Sequence, residues 1–123
     1  MFRIDTVLTD RGSRYAVSGG PAASRAEVQA FLRALTRDKR YARATHNSWG
    51  ALLPDGPAKG DDGETGAGAI ILRMLEAAGR RSEVVVVTRW YGGTHLGGDR
   101  FRHVQDCVRR YLAESPPAGT APD

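Results

Sequence analysis

Cysteine is nearly absent: Cys107 stands alone among 123 residues, which excludes an internal disulfide framework and any zinc site built from several thiolates. It falls inside a helical pattern, where a buried thiol is the ordinary occupant and a reactive one the exception. Lysine is almost as scarce, confined to Lys39 and Lys59, so the 18 basic residues set against 14 acidic ones are mostly arginines and give a net charge of +4. That excess permits an anionic partner such as RNA or a ribosome without demanding one. No apolar run is long enough to span a bilayer, and the opening MFRIDTVLTDRG places charge in every turn, unlike a signal peptide. These absences point to a soluble, cytoplasmic protein with no membrane partner.

The length fits one domain with one core, expected over residues 1–114, followed by a disordered proline-rich tail at 115–123. SRYAVSG at 13–19 alternates as a short strand does. Ser24 with Glu27 forms a capping box ahead of Val28, Phe31, Leu32 and Leu35, which predicts a helix over 25–37. RYARATHNSWGALL at 40–53 supports a strand, and PDGPAKGDDGETG at 54–66 reads as turn chemistry throughout. A second helix follows at 66–79. The run VVVVT at 84–88 is β-branched without alternation, as in a strand covered on both faces. A final helix has Asp99 at its cap, with Phe101, Val104, Val108, Tyr111 and Leu112 on one stripe and arginines on the other side. The order is that of an α/β (α+β) domain with its helices packed on one face of a mixed sheet.

Three polar clusters stand outside the core stripes: THN at 45–47, GDDGE at 60–64 and TRWYGGTHLGGDR at 88–100. All fall at expected strand ends or helix starts, where backbone groups are free to bind. Asp61, Asp62 and Glu64 precede a helix, so capping explains them most simply; Asp62 and Glu64 as a carboxylate pair for a metal or for proton transfer, with His46 and His95 as neighbours, is the alternative. The spacings match no metal-ligand motif. Gly92, Gly93, Gly97 and Gly98 lack both phosphate-loop patterns and read best as tight backbone between a strand and a helix, with a partner-binding loop as the alternative. Thr45, Ser48, Thr94 and Cys107 could serve as nucleophiles with His46, His95 or His103 as base, but no nucleophile motif joins them. Arg89, Trp90, Tyr91 and the basic side of the last helix favour an anionic surface, unless Arg89 is paired with Asp62 or Glu64 and Trp90 lies in the core.

TDRGSRYAV, RDKRYARATHN, DDGETGAG and VVVVTRWYGGTHLGGDRFRHVQDCVRRYL, in that order over roughly residues 9–114, resemble the IMPACT and YigZ family, in motif variants closer to eukaryotic IMPACT. The resemblance implies a two-layer α/β sandwich like the second domain of ribosomal protein S five. It implies a non-enzymatic binding domain in translation or its regulation, through RNA, a ribosome or a translation-regulatory protein; eukaryotic members restrain the starvation-responsive initiation-factor kinase by competing for its activating scaffold. The matching positions make His46, Asn47, Asp62, Glu64, Arg89 and Arg100 the candidate binding residues and Gly63, Gly92, Gly93 and Gly97 structural glycines. No cofactor and no metal are expected. The alternative is a metal-dependent hydrolase using His46, Asp62 and Glu64. Gly50 and Leu52 depart from the family's usual alanine and arginine, and the chain has room for neither the second domain of eukaryotic members nor that of bacterial ones.

Overall fold

The protein, seen in a computed structural model that describes residues 1–117, runs β1 (Phe2–Asp10), β2 (Ser13–Pro21), α1 (Arg25–Thr36), α2 (Lys39–Ala42), β3 (His46–Leu53), β4 (Gly56–Gly60), α3 (Ala67–Ala78), β5 (Glu83–Trp90) and α4 (Asp99–Glu114). The strands form one sheet in the order β1-β2-β5-β3-β4. The α/β class is as expected, but the sheet is antiparallel at every junction rather than mixed. The connections explain this: each helical crossover skips one strand, so β5 runs parallel to β4 and β2 to β3, yet no parallel pair is adjacent.

β5 is the axis of the sheet. Its alternate residues feed two cores, Val85 and Val87 packing with Ile71 and Leu75 of α3 and Val104, Cys107, Val108 and Tyr111 of α4. Val84 and Val86 pack on the opposite side with Val28 and Leu35 of α1, Tyr41 of α2, and Trp49 and Ala51. The helices therefore cover both faces rather than one. A strand with an apolar layer on each side has no solvated face to alternate with, which is why four valines stand in a row.

Helix starts follow local chemistry. Ser24 Oγ accepts the Glu27 amide at 3.1 Å and Glu27 answers the Ala23 amide at 2.7 Å, which fixes the start of α1. α3 ends at Gly79 in the left-handed region, φ 66°, the usual glycine stop. Asp99 is the first residue of α4 and Gly98 its cap, so the capping expected of Asp99 does not occur; its carboxylate takes Arg11 Nη2 at 2.6 Å instead.

Three elements depart from the sequence expectation. β1 is an edge strand whose register shifts between Ile4 and Leu8, and that irregularity breaks the alternation by which a strand would be recognised. α2 occupies 39–42, where a strand was expected to begin, because Asp38 accepts the Arg40 amide at 3.0 Å and starts a helical turn. β4 runs through the expected turn segment: Pro54 and Asp55 close a two-residue hairpin, and Pro57 is tolerated because β4 lies at the sheet edge. Of the tail, Ser115 is buried and its carbonyl accepts Arg80 Nη2 at 2.8 Å; residues 118–123 lie outside the described residues.

Candidate functional site

The antiparallel register brings the three polar clusters to one end of the sheet. Tyr15 of β2 is opposite Arg89 of β5, and Arg89 is opposite His46 of β3, a row on the side that carries α3 and α4. The turn after β4 lifts Glu64 onto that row. Glu64 is buried, and Arg89 Nη1 donates to both of its carboxylate oxygens at 3.1 Å. His46 Nε2 lies 3.3 Å from Oε2, and Arg100 Nε, from the first turn of α4, lies 3.8 Å from Oε1. His46 Nδ1 donates to the Asp62 carbonyl at 2.8 Å, which fixes the ring's orientation.

One carboxylate thus faces two guanidinium groups and an imidazole, and the donors outnumber it. Arg89 Nε and Arg100 Nε are buried without a hydrogen-bond partner among the described residues, as is the Tyr15 hydroxyl beside Arg89. Burial pushes Tyr15 up to about 12, so it stays neutral there. The Arg100 side chain is 40% exposed, whereas that of Arg89 is 8% exposed. Of the two, only Arg100 is open to a partner. Tyr91, 43% exposed, stands just beyond, its ring 5.7 Å from the Arg89 guanidinium carbon.

The remaining expected residues sort differently. Among the described residues the Asp62 carboxylate pairs with no arginine; its Oδ2 accepts the Asn47 amide at 2.7 Å. Asn47 faces the α1 side and is spent on structure, with Nδ2 donating to the Tyr41 carbonyl at 3.1 Å and Oδ1 accepting from Thr88 at 2.7 Å. Asp61, outside the expected binding set, is the helix cap: its oxygens accept the amides of Gly66 at 3.1 Å and Gly68 at 2.8 Å. Those bonds, chiefly the one from Gly66, hold its carboxyl below the ordinary value. The signal was its place in an acidic run before a helix. Gly63 adopts φ 85°, and a side chain there would press on the His46 ring at 3.1 Å. Gly92 has no room for any side chain, since a Cβ would overlap the backbone of Gly12 and Ser13. Gly93 and Gly97 supply left-handed backbone, φ 92° and 56°. Trp90 donates to the Arg40 carbonyl at 2.9 Å on the α1 side.

For metal binding, the donor set does not fit. Asp62 turns its carboxylate away from Glu64, and both Glu64 oxygens are engaged by Arg89. Among the described residues no group of three or more His, Cys, Asp or Glu is placed to hold a metal ion. Cys107 is buried in the α4 core, and that burial pushes its thiol up to about 12, far from a reactive thiolate.

Fold and site together define a small α+β domain whose polar residues gather around one buried carboxylate at the end of an antiparallel sheet. The family model described as Impact N-terminal domain matches residues 11–112, and the chain belongs to this IMPACT family. It is 37% identical over 116 residues to Protein IMPACT of Oryctolagus cuniculus, covering 87% of this chain and 36% of the relative, and 38% identical to that of Bos taurus over the same shares. Protein IMPACT of Homo sapiens is 37% identical, with 35% of its length covered. The chain therefore spans about a third of these relatives. Among solved structures, one described as a hypothetical protein aligns with TM-score 0.77 at 22% identity, over 91% of this chain and 57% of that one, which shows the fold. The two-domain translational regulator Yih1 aligns with TM-score 0.52 at 32% identity, over 86% of this chain and 43% of that one. No helix among the described residues is long and apolar enough to cross a membrane.

Proposed function

We propose that this is a non-enzymatic binding domain serving translation or its regulation, working in the cytoplasm through contacts with RNA, a ribosome or a regulatory protein. Family membership and the likeness to a translational regulator support the setting. The observation that carries a binding role is the surplus of donors at the sheet end: Glu64 holds Arg89 by Nη1 alone, while Arg100 stays half-exposed and the exposed ring of Tyr91 lies against Arg89. A carboxylate or phosphate of a partner reaching Arg100 would complete the arrangement, and the tyrosine ring adds apolar contact at low entropic cost.

Capture of translation components from cell extract by the tagged domain tests this reading. Arg100→Ala combined with Tyr91→Ala should cut capture about tenfold, as expected for losing two interface anchors worth together about 1.4 kcal/mol. The unfolding midpoint should hardly move, because the Arg89–Glu64 pair is left intact. Undiminished capture by this variant would remove the sheet end from consideration.

A further inference from the structure

The positive charge is not where the sequence places it. On α4, Arg102 pairs with Asp99 at 3.4 Å, Arg109 with Asp106 at 2.8 Å and Arg110 with Glu114, so its basic side is largely self-neutralised. By contrast Arg25, Arg33 and Arg37 along α1, with Lys39 and Arg43 at the two ends of α2, are exposed and make no ion pair among the described residues. Arg33 and Arg37 are one turn apart and lie on the same side of the helix. Beside this ridge, between α1 and the start of β3, opens a cleft of about 380 Å³ with Leu32 and Trp49 as apolar walls and Gln29, Arg33 and Asp62 among its lining. Asp62 uses Oδ2 on the Asn47 amide, which leaves Oδ1 and the Gln29 carboxamide with no hydrogen-bond partner among the described residues.

We propose that this cleft and ridge bind single-stranded RNA, with one base entering between Leu32 and Trp49 toward Asp62 and the flanking phosphates on Arg33 and Arg37. The zoning of charge argues for a nucleotide. The arginines stand on the α1 side of the cleft and the exposed carboxylate of Asp62 comes from the loop after β4, so an acidic peptide would meet Asp62 as well as the arginines, whereas a nucleotide keeps its charge on the phosphates and presents N–H donors on its base. The same carboxylate sets the preference. Adenine, cytosine and guanine offer it an exocyclic amino group, while uracil flanks its single N–H with two carbonyl oxygens that repel it. The inference rests on the translation reading only for the choice of RNA over DNA; the cleft is separate from the sheet-end site around Glu64.

Fluorescence anisotropy with the purified chain and labelled octamers of A, C or U tests it. The A and C octamers should bind about fivefold or more tighter than U. Arg33→Gln with Arg37→Gln should weaken every octamer about tenfold and lower the slope of log affinity against log salt by about 1.4, since each phosphate contact on a single strand contributes about 0.7. Asp62→Asn keeps a residue tolerant of the left-handed backbone found there, φ 48°. Its amide oxygen should turn to the Asn47 N–H and its NH₂ to the cleft, raising U relative to A. An unchanged base order in Asp62→Asn, or unchanged affinity in the arginine variant, would overturn the proposal. So would displacement of RNA by polyglutamate without any base preference, which would give the ridge to an acidic protein. Octamer binding without capture of translation components would leave the cleft standing and the sheet-end reading refuted; Arg100-dependent capture without octamer binding would do the reverse.

Discussion

Glu64 and Arg89 are the pair on which the sheet end depends. Both are nearly dry, 4% and 8% exposed at the side chain, so removing one partner leaves the other charge buried. Glu64→Gln should lower unfolding free energy by about 3 kcal/mol in urea denaturation, and the apolar double variant Glu64→Leu, Arg89→Met should recover most of the loss. A loss below about 0.5 kcal/mol for the single change, the size of an ordinary surface substitution, would mean that the pair does not hold the site. Asp10 makes a second prediction. The guanidinium of Arg11 and then the imidazole of His103 hold its carboxyl down to about 2, against 3.8 for an unperturbed group. Because the folded value is depressed, the stability it contributes is complete above the ordinary carboxylate range and is lost as pH falls through about 2. Carbon-detected NMR of the Asp10 carboxyl should show a midpoint near 2; a midpoint at the ordinary value would show that the contacts of Asp10 with Arg11 and His103 do not persist in solution.

At the scale of elements, α4 is anchored at both ends by arginines from elsewhere in the chain. At its start, Arg11 holds Asp99; at its end, Arg80 donates to the Leu112 carbonyl at 3.1 Å and the Ser115 carbonyl at 2.8 Å while pairing with buried Glu83 at 3.0 Å. The Tyr111 hydroxyl donates to the same Glu83 carboxylate, and Gly19 lets the Tyr111 ring lie directly on β2. Arg80→Met should cost about 3 kcal/mol, and amides near residues 110–115 should exchange with solvent much faster. Protection as in the parent chain would show that packing alone holds the helix end. Elements with strong local signals were legible in the sequence: α1 from its capping box, α3 and α4 from their apolar stripes, β5 from its valines. β1, α2 and β4 were not, because a register shift, a single turn and a short edge strand leave no period to read. The site was half legible. The polar clusters mark the sheet end, but nothing local tells that Glu64 meets Arg89 across 25 residues while the neighbouring Asp62 turns to the opposite face. The charged side of α4 misleads for the same reason: composition counts its arginines, and only the folded helix shows the acids three or four places away that neutralise them.

For the molecule as a whole, the order β1-β2-β5-β3-β4 has a consequence for the chain as it is made. Two hairpins leave the ribosome first, and neither pairs with the other; the strand that joins them, Glu83–Trp90, comes after both. Until it arrives, the inner edges of β2 and β3 that β5 will pair stay open, and a lone two-stranded ribbon is marginal in water. Ribosome-bound chains halted before residue 83 should therefore be digested readily by protease, and chains extended past α4 should resist. Resistance before β5 has been synthesised would mean that a hairpin folds by itself; otherwise the domain acquires its structure in one late step, when its central strand zips two waiting halves together.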